Sequence, residues 1–305
     1  MRSSLRIVGP LAIIVLAILG YFLFTKPLKS ILWTYQTRLS WAGVVQHSAD
    51  LKGGKISWYE AGYRGEEALL LVHGLGPVGA VEWRGNIGPI AEGHFRVIAV
   101  DLPGFGDSPA PATPVTIDSE ARALWELLDG LKIDNANLVG RDIGADVVLQ
   151  MAVDAPERAQ RLGLISGGMF GKDGLAREQN AFVLKGPEQA PQFAELTLVG
   201  LPSMPAFVYN HMYEDFMASQ PATQQLLTDA PNAEKAITAG LGKIFNTLKV
   251  IIWGKNDQIL PVAEAERLHS ILAGSAFASI DNTGHCPNAE HPEEFNDAIY
   301  TVLKQ

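Results

Sequence analysis

Short apolar runs recur along the chain at regular intervals. Lys55–Glu60 alternates apolar and polar residues after the Gly53-Gly54 turn signal, as a strand exposed on one face does. Ala68–Val72, Val97–Val100, Asn137–Val139, Leu162–Ile165 and Val250–Trp253 are continuous runs, with a weaker one at Ala276–Ile280. Runs of this length, bounded by Gly, Pro or polar residues, suit strands buried on both faces of a parallel sheet. The stretches between them read as helices. Ile117–Leu131 puts Ala121, Leu124, Leu127 and Leu128 on one face, Ile143–Val153 follows Asp142, and Val262–Leu272 follows Pro261. Strand–helix alternation of this kind predicts an α/β fold with a mostly parallel, doubly wound sheet.

The rhythm breaks between residues 167 and 247. This segment is rich in Gln, Ala, Met, Phe and Pro, has helical patches and shows no clear strand. It lies between two strand candidates, so it predicts a helical cap inserted into a core made of residues 44–166 and 248–305. Ligands bind at the carboxyl ends of the strands in open α/β sheets, and a cap there would shape the pocket. Phe182, Phe193, Phe207, Met212 and Phe216 are the candidate lining.

Residues 1–30 form a separate object. Ile7–Phe24 carries no charge, is flanked by Arg2, Arg6, Lys26 and Lys29, and as a helix would be about 27 Å long, enough for a bilayer core. Bulky Tyr21, Phe22 and Phe24 stand where a signal peptidase site would need small residues. The expectation is a single-pass N-terminal anchor through residues 7–24 and a membrane localisation, followed by an interfacial helix over Ser30–Gly43. The chain has 24 Lys+Arg against 33 Asp+Glu, a net charge of −9, and the four basic residues of the N-terminus leave the rest more acidic still. That balance argues against a nucleic-acid partner, because phosphate binding wants clustered Lys and Arg. The single cysteine, Cys286, excludes an internal disulfide.

Four motifs that can carry chemistry follow strands, in order. His73-Gly74-Leu75-Gly76 is a Gly-rich turn able to aim backbone N–H groups at a developing oxyanion. Asp101-Leu102-Pro103-Gly104-Phe105-Gly106-Asp107-Ser108 is a tight loop expected to be structural. Gly140-Arg141-Asp142-Ile143-Gly144 has the strand–elbow–helix pattern in which flanking glycines expose a central nucleophile at a helix N-terminus. Asp142 could equally be an ordinary helix cap. Asp257, four residues past a strand, and His285, after the last strand candidate, complete the order nucleophile, acid, histidine.

From about residue 44 onward the chain resembles the α/β-hydrolase superfamily, and Gly284-His285-Cys286-Pro287-Asn288-Ala289-Glu290-His291-Pro292 is similar to its usual ending around the catalytic histidine. An aspartate at the elbow resembles the epoxide hydrolase and haloalkane dehalogenase branches. The resemblance implies Asp142 as nucleophile, Asp257 as orienting acid, His285 as general base, and an oxyanion hole at Leu75 and Ile143. It implies a covalent ester on Asp142 that a His285-activated water hydrolyses, with no metal and no cofactor. The substrate would be a small apolar organic molecule with water as co-substrate. An epoxide hydrolase is the first expectation, with cap tyrosines Tyr209 and Tyr213 as proton donors. A dehalogenase comes second, because Ile143 stands where the haloalkane branch has Trp. An ester or C–C hydrolase with Asp142 as base, or a non-catalytic binding module, are further alternatives. Arg141 stands where the family commonly has His; it could bind an acidic substrate group or pair with an acid.

Overall fold

The computed structural model describes residues 27–200 and 203–304. An N-terminal helix α1 (Pro27–Trp41) leads into β1 (Val45–Leu51), β2 (Gly54–Ala61) and β3 (Glu67–Val72). Then come α2 (Ile87–Glu92), β4 (Phe95–Asp101), α3 (Ile117–Gly130), β5 (Ala136–Arg141), α4 (Ile143–Asp154) and β6 (Ala159–Ile165). Three helices follow: α5 (Gly171–Phe182), α6 (Ala190–Thr197) and α7 (Ala206–Gly240). The chain ends with β7 (Leu248–Gly254), α8 (Val262–Ile271), β8 (Ala276–Ile280), α9 (Pro287–Glu290) and α10 (Pro292–Leu303).

The eight strands make one sheet in the order β1-β2-β4-β3-β5-β6-β7-β8. β1–β2 and β2–β4 pair antiparallel and every other pair is parallel. The apolar runs are the central strands, buried along their length because helices cover both faces. Alternate side chains feed two cores. Leu70, Val72, Ile98 and Val100 pack on one face with α3, α4 and the helices of segment 167–247. Leu69, Leu71, Val97 and Ala99 pack on the other with α2 and α10. β1 left no signal in the sequence: VQHSADL is an edge strand, mostly exposed, and so had no apolar periodicity to show.

Helix α1 covers the stretch expected to be an interfacial helix, but it is 15 residues long and carries Lys29 and Arg38. Among the described residues no helix is long and apolar enough to cross a membrane. The expected anchor, Ile7–Phe24, lies outside the described residues. The membrane anchor and membrane localisation expected from the sequence therefore find no support and are withdrawn.

Candidate active site

The backbone brings the motifs together at the carboxyl edge of the sheet. Asp142 sits between β5 and α4 with φ 53° and ψ −125°, a strained conformation for a residue with a side chain. The elbow closes this tightly because its neighbours are glycines. A Cβ on Gly140 would lie 2.1 Å from the Gly144 carbonyl oxygen, and one on Gly144 would lie 2.6 Å from that of Val72. The Asp142 backbone N–H is held by Ile165 O at 2.8 Å. Its side chain does not cap α4. Asp142 Oδ2 instead accepts the Leu75 backbone N–H at 2.8 Å, and Oδ1 is buried without a hydrogen-bond partner.

Asp257 and His285 form the second half of the site. Asp257 Oδ1 accepts the N–H groups of Ile259 and Leu260, both at 2.9 Å, which aims Oδ2 at His285 Nδ1, also 2.9 Å away. The loop carrying His285 crosses directly over β7, where a Cβ on Gly254 would be 2.0 Å from Gly284 O. The other ring nitrogen, His285 Nε2, faces Asp142 Oδ2 at 3.9 Å, beyond direct hydrogen-bond reach. Burial pushes the His285 imidazole down, but the Asp257 charge and the carboxyl groups of Asp142 and Glu178 outweigh it, so the proton is held more tightly than usual.

The sequence reading missed Glu178, on α5. Its Oε1 is also 3.9 Å from His285 Nε2, it is fully buried, and neither oxygen has a hydrogen-bond partner. Burial, then the Asp142 charge, raise its carboxyl well above the usual range, with Asp257 adding to them; His285 and Arg141 oppose without reversing the direction. Nothing in its helical sequence context marked it, because the proximity spans residues more than a hundred apart. Among the described residues Asp142, Glu178 and His285 are the one group with metal-ligand chemistry, each offering a ligand atom within 4.8 Å of the others. Ligand atoms on a tetrahedral zinc ion stand only about 3.4 Å apart, given bonds of about 2.1 Å. The observed separations of 3.9 Å from His285 Nε2 are wider than that.

Two expectations for this site need correction, the Leu75 donor and the cap tyrosines, and of the two readings of Arg141 the structure shows the pair with an acid. The Leu75 N–H is already bonded to Asp142, so it is not free to serve as an oxyanion donor. The Tyr209 hydroxyl accepts the Met204 N–H and the ring packs beside Ala190 and Ala194. Tyr213 packs at the edge of that cluster, and neither tyrosine lines the cavity beside the site. Arg141 forms a two-point ion pair with Glu82, Nε to Oε1 at 3.0 Å and Nη2 to Oε2 at 2.8 Å, both side chains nearly inaccessible.

A cavity of about 580 Å³ adjoins this group. Leu75, Arg141 and Cys286 line it together with Phe182, Phe193, Met212 and Phe216, and Leu32 and Tyr35 of α1 line it as well. Of the five apolar residues expected as lining, Phe207 alone does not line it. Asp142 and His285 are themselves sealed from it, with the Phe182 ring 5.8 Å from the His285 ring and part of the cavity wall. The loop His73–Gly76 is fixed from below: His73 Nε2 accepts the Leu102 N–H, and Asp101 accepts the N–H groups of Ala80 and Asp107.

A model of the alpha/beta hydrolase fold family matches residues 67–292. The chain belongs to this family. The α/β-hydrolase chain is 32% identical, over 276 residues, to a 2-hydroxy-6-oxononadienedioate/2-hydroxy-6-oxononatrienedioate hydrolase of Paraburkholderia phymatum, covering 84% of this chain and 94% of the relative. Among solved structures, a membrane phospholipase A described as a bacterial virulence factor superposes with a TM-score of 0.80 at 25% identity, covering 98% of both chains. A 2-hydroxy-6-oxo-6-phenylhexa-2,4-dienoate hydrolase from Rhodococcus superposes with a TM-score of 0.72 at 22% identity and shows the fold. The hydroxy-oxononadienedioate hydrolases, which are C–C hydrolases, overturn the expected epoxide hydrolase and its covalent ester chemistry, and neither tyrosine that epoxide opening would need lines the cavity.

Proposed function

We propose that this α/β hydrolase cleaves a carbon–carbon bond beside a ketone, in a substrate of the 2-hydroxy-6-oxo-dienoate class, with a water activated by Asp142. The observation that carries this reading is the 3.9 Å gap between Asp142 Oδ2 and His285 Nε2, at the elbow of a chain whose curated relatives are C–C hydrolases. A carboxylate attacking an acyl carbon would form an anhydride, a poor intermediate. A carboxylate taking a proton from water has no such obstacle.

The water in the gap gives its proton to Asp142, and its oxygen bonds to the ketone carbon. The carbonyl π pair moves onto the carbonyl oxygen. Cleavage proceeds from the keto tautomer of the substrate, in which the C2 hydroxyl proton has moved to C5: when the carbonyl re-forms, the bond between C5 and C6 breaks and its electron pair runs through C4 and C3 onto the C2 oxygen. His285, which the surrounding carboxyl groups hold protonated against the effect of burial, gives its proton to that oxygen. Asp142 then returns its proton to His285. The products are a hydroxydienoic acid and a carboxylic acid, and atoms and charge balance.

The cavity favours an apolar alkyl or aryl group on the ketone carbon. Phe182, Phe193, Phe216 and Met212 line it, while its two arginines are engaged, Arg141 with Glu82 and Arg84 over the Tyr35 ring. A second reading, hydrolysis of an apolar acyl ester by the same water, is favoured by the reach of the cavity to Leu32 and Tyr35 and by the similarity to a phospholipase A. The test is turnover of 6-alkyl, 6-aryl and dioate hydroxy-oxodienoates beside apolar acyl esters, in ¹⁸O-water. Heavy oxygen in the released acid and none in the Asp142 peptide, with the dienoates consumed, is the expected result. Turnover of esters alone would select the second reading, and label in Asp142 would sink its role as base.

A further inference from the structure

We infer that Glu178 is a further catalytic residue, whose carboxylic acid donates a hydrogen bond to the carbonyl oxygen of the substrate as negative charge builds there. This rests on the reading that a water attacks an acyl carbonyl beside Asp142.

One of the two usual donors is taken. Members of this fold stabilise the oxyanion with two backbone N–H groups. Here the N–H of Leu75 is bonded at 2.8 Å to Asp142 Oδ2, so a carboxylate at the elbow fills part of the hole that a serine would leave free. A site built this way needs a replacement donor close to the reacting carbon. Glu178 is so placed: Oε1 lies 3.9 Å from His285 Nε2, and its carboxyl lies within 4.8 Å of the facing atoms of Asp142 and His285.

Its chemical state suits the task. Four charged or titratable groups face it: Asp142 at the elbow, His285, Asp257 after β7, and Arg141 at the end of β5. Burial and the two aspartates together favour the protonated form, which is a donor. A buried carboxylic acid kept neutral so that it can donate to an oxyanion is an established use of such a group. Both Glu178 oxygens lack a partner in the protein. An unpartnered buried carboxyl group is a folding liability that leucine at this position would remove, so a ligand that bonds to it is the economical account.

Its position couples it to access. Glu178 and Phe182 are one turn apart on α5, and Phe182 separates His285 from the cavity. Entry of the substrate ketone past Phe182 delivers its oxygen to the same face of α5 that carries Glu178.

The experiment compares the full-length protein with Glu178→Leu and Glu178→Gln, which keeps an N–H donor. Thermal melting checks that each variant folds. Two readouts follow: kcat and KM on the substrates above, and affinity for an aryl trifluoromethyl ketone, whose hydrate mimics the tetrahedral adduct. Glu178→Leu is expected to lower kcat on the order of 10²-fold with little change in KM, as loss of an oxyanion donor does. It should weaken the trifluoromethyl ketone by a comparable factor, with Glu178→Gln between it and wild type. Unchanged kcat and unchanged affinity in Glu178→Leu overturn the inference. Faster turnover in Glu178→Leu also overturns it and makes Glu178 a plug. If the wild type binds the ketone in a Glu178-dependent way yet consumes none of the substrates, the inference stands and the proposed reaction fails.

Discussion

Removing the Arg141 guanidinium should cost this protein far more than an exposed arginine would. Arg141 and Glu82 pair through two nitrogens and two oxygens at 3.0 and 2.8 Å, with side-chain exposures of 3% and 7%. Arg141→Met leaves the Glu82 carboxylate buried and unpaired, and breaking a pair of this kind costs about 3–5 kcal/mol. Unfolding entropy of about 2.1 cal/mol/K per residue gives a chain of this size roughly 0.6 kcal/mol/K, so Tm should fall by about 5–8 °C. The double variant Arg141→Met/Glu82→Leu replaces the pair by apolar groups and should regain most of that loss. Calorimetry on wild type, both single variants and the double variant gives the coupling directly. A drop below about 2 °C in Arg141→Met, or a double variant no more stable than the singles, would refute the structural role. A selective rise in KM for carboxylate substrates, without loss of stability, would instead make Arg141 an anion-binding group. Lysine should not substitute, because it cannot reproduce the two-point contact and the guanidinium lies against Gly74.

The remaining predictions concern the site and its supports. Asp142→Asn removes the base and should lower kcat by about 10²–10⁴-fold, measured on whichever substrate turns over; activity within tenfold of wild type would remove Asp142 from that role. Asp257→Asn keeps the turn at Ile259 and Leu260 but unbalances His285, and a loss of about 10²-fold or more is expected, with the melting temperature little changed. Gly254→Ala drives a methyl group into Gly284 O and should lower both stability and activity, read by melting and by turnover together. Burial pushes the Asp146 carboxyl up to about 7, against the hydrogen bond it accepts from Met169 N–H. The folded state thus keeps a proton that the unfolded state loses above about pH 4, so this group's stabilisation is full below that pH and declines as pH rises to about 7. Asp146→Asn should flatten the decline, by an amount on the order of 4 kcal/mol at most, in denaturant titrations at pH 4.5 and 7.5.

The sequence by itself determined the layered frame. The apolar runs at Ala68–Val72, Val97–Val100 and Val250–Trp253 became central strands because a strand covered on both faces must be apolar at every position. Asp142, Asp257 and His285 were legible for a related reason: each follows a strand, and parallel strands carry their following loops to one edge of the sheet. Amphipathic helices left a period that could be read, whereas the exposed edge strand β1 left none. Only the tertiary structure decided what each group at that edge touches. It gave Arg141 to Glu82, Leu75 N–H to Asp142, and the Tyr209 hydroxyl to Met204. It also placed Glu178 against His285, from a helix where its neighbours in sequence are unremarkable. Local pattern reports the burial of a face. The partner of a polar atom is set by packing between residues that are distant in sequence, and it is those partners that determine which proton each group in this site can give or take.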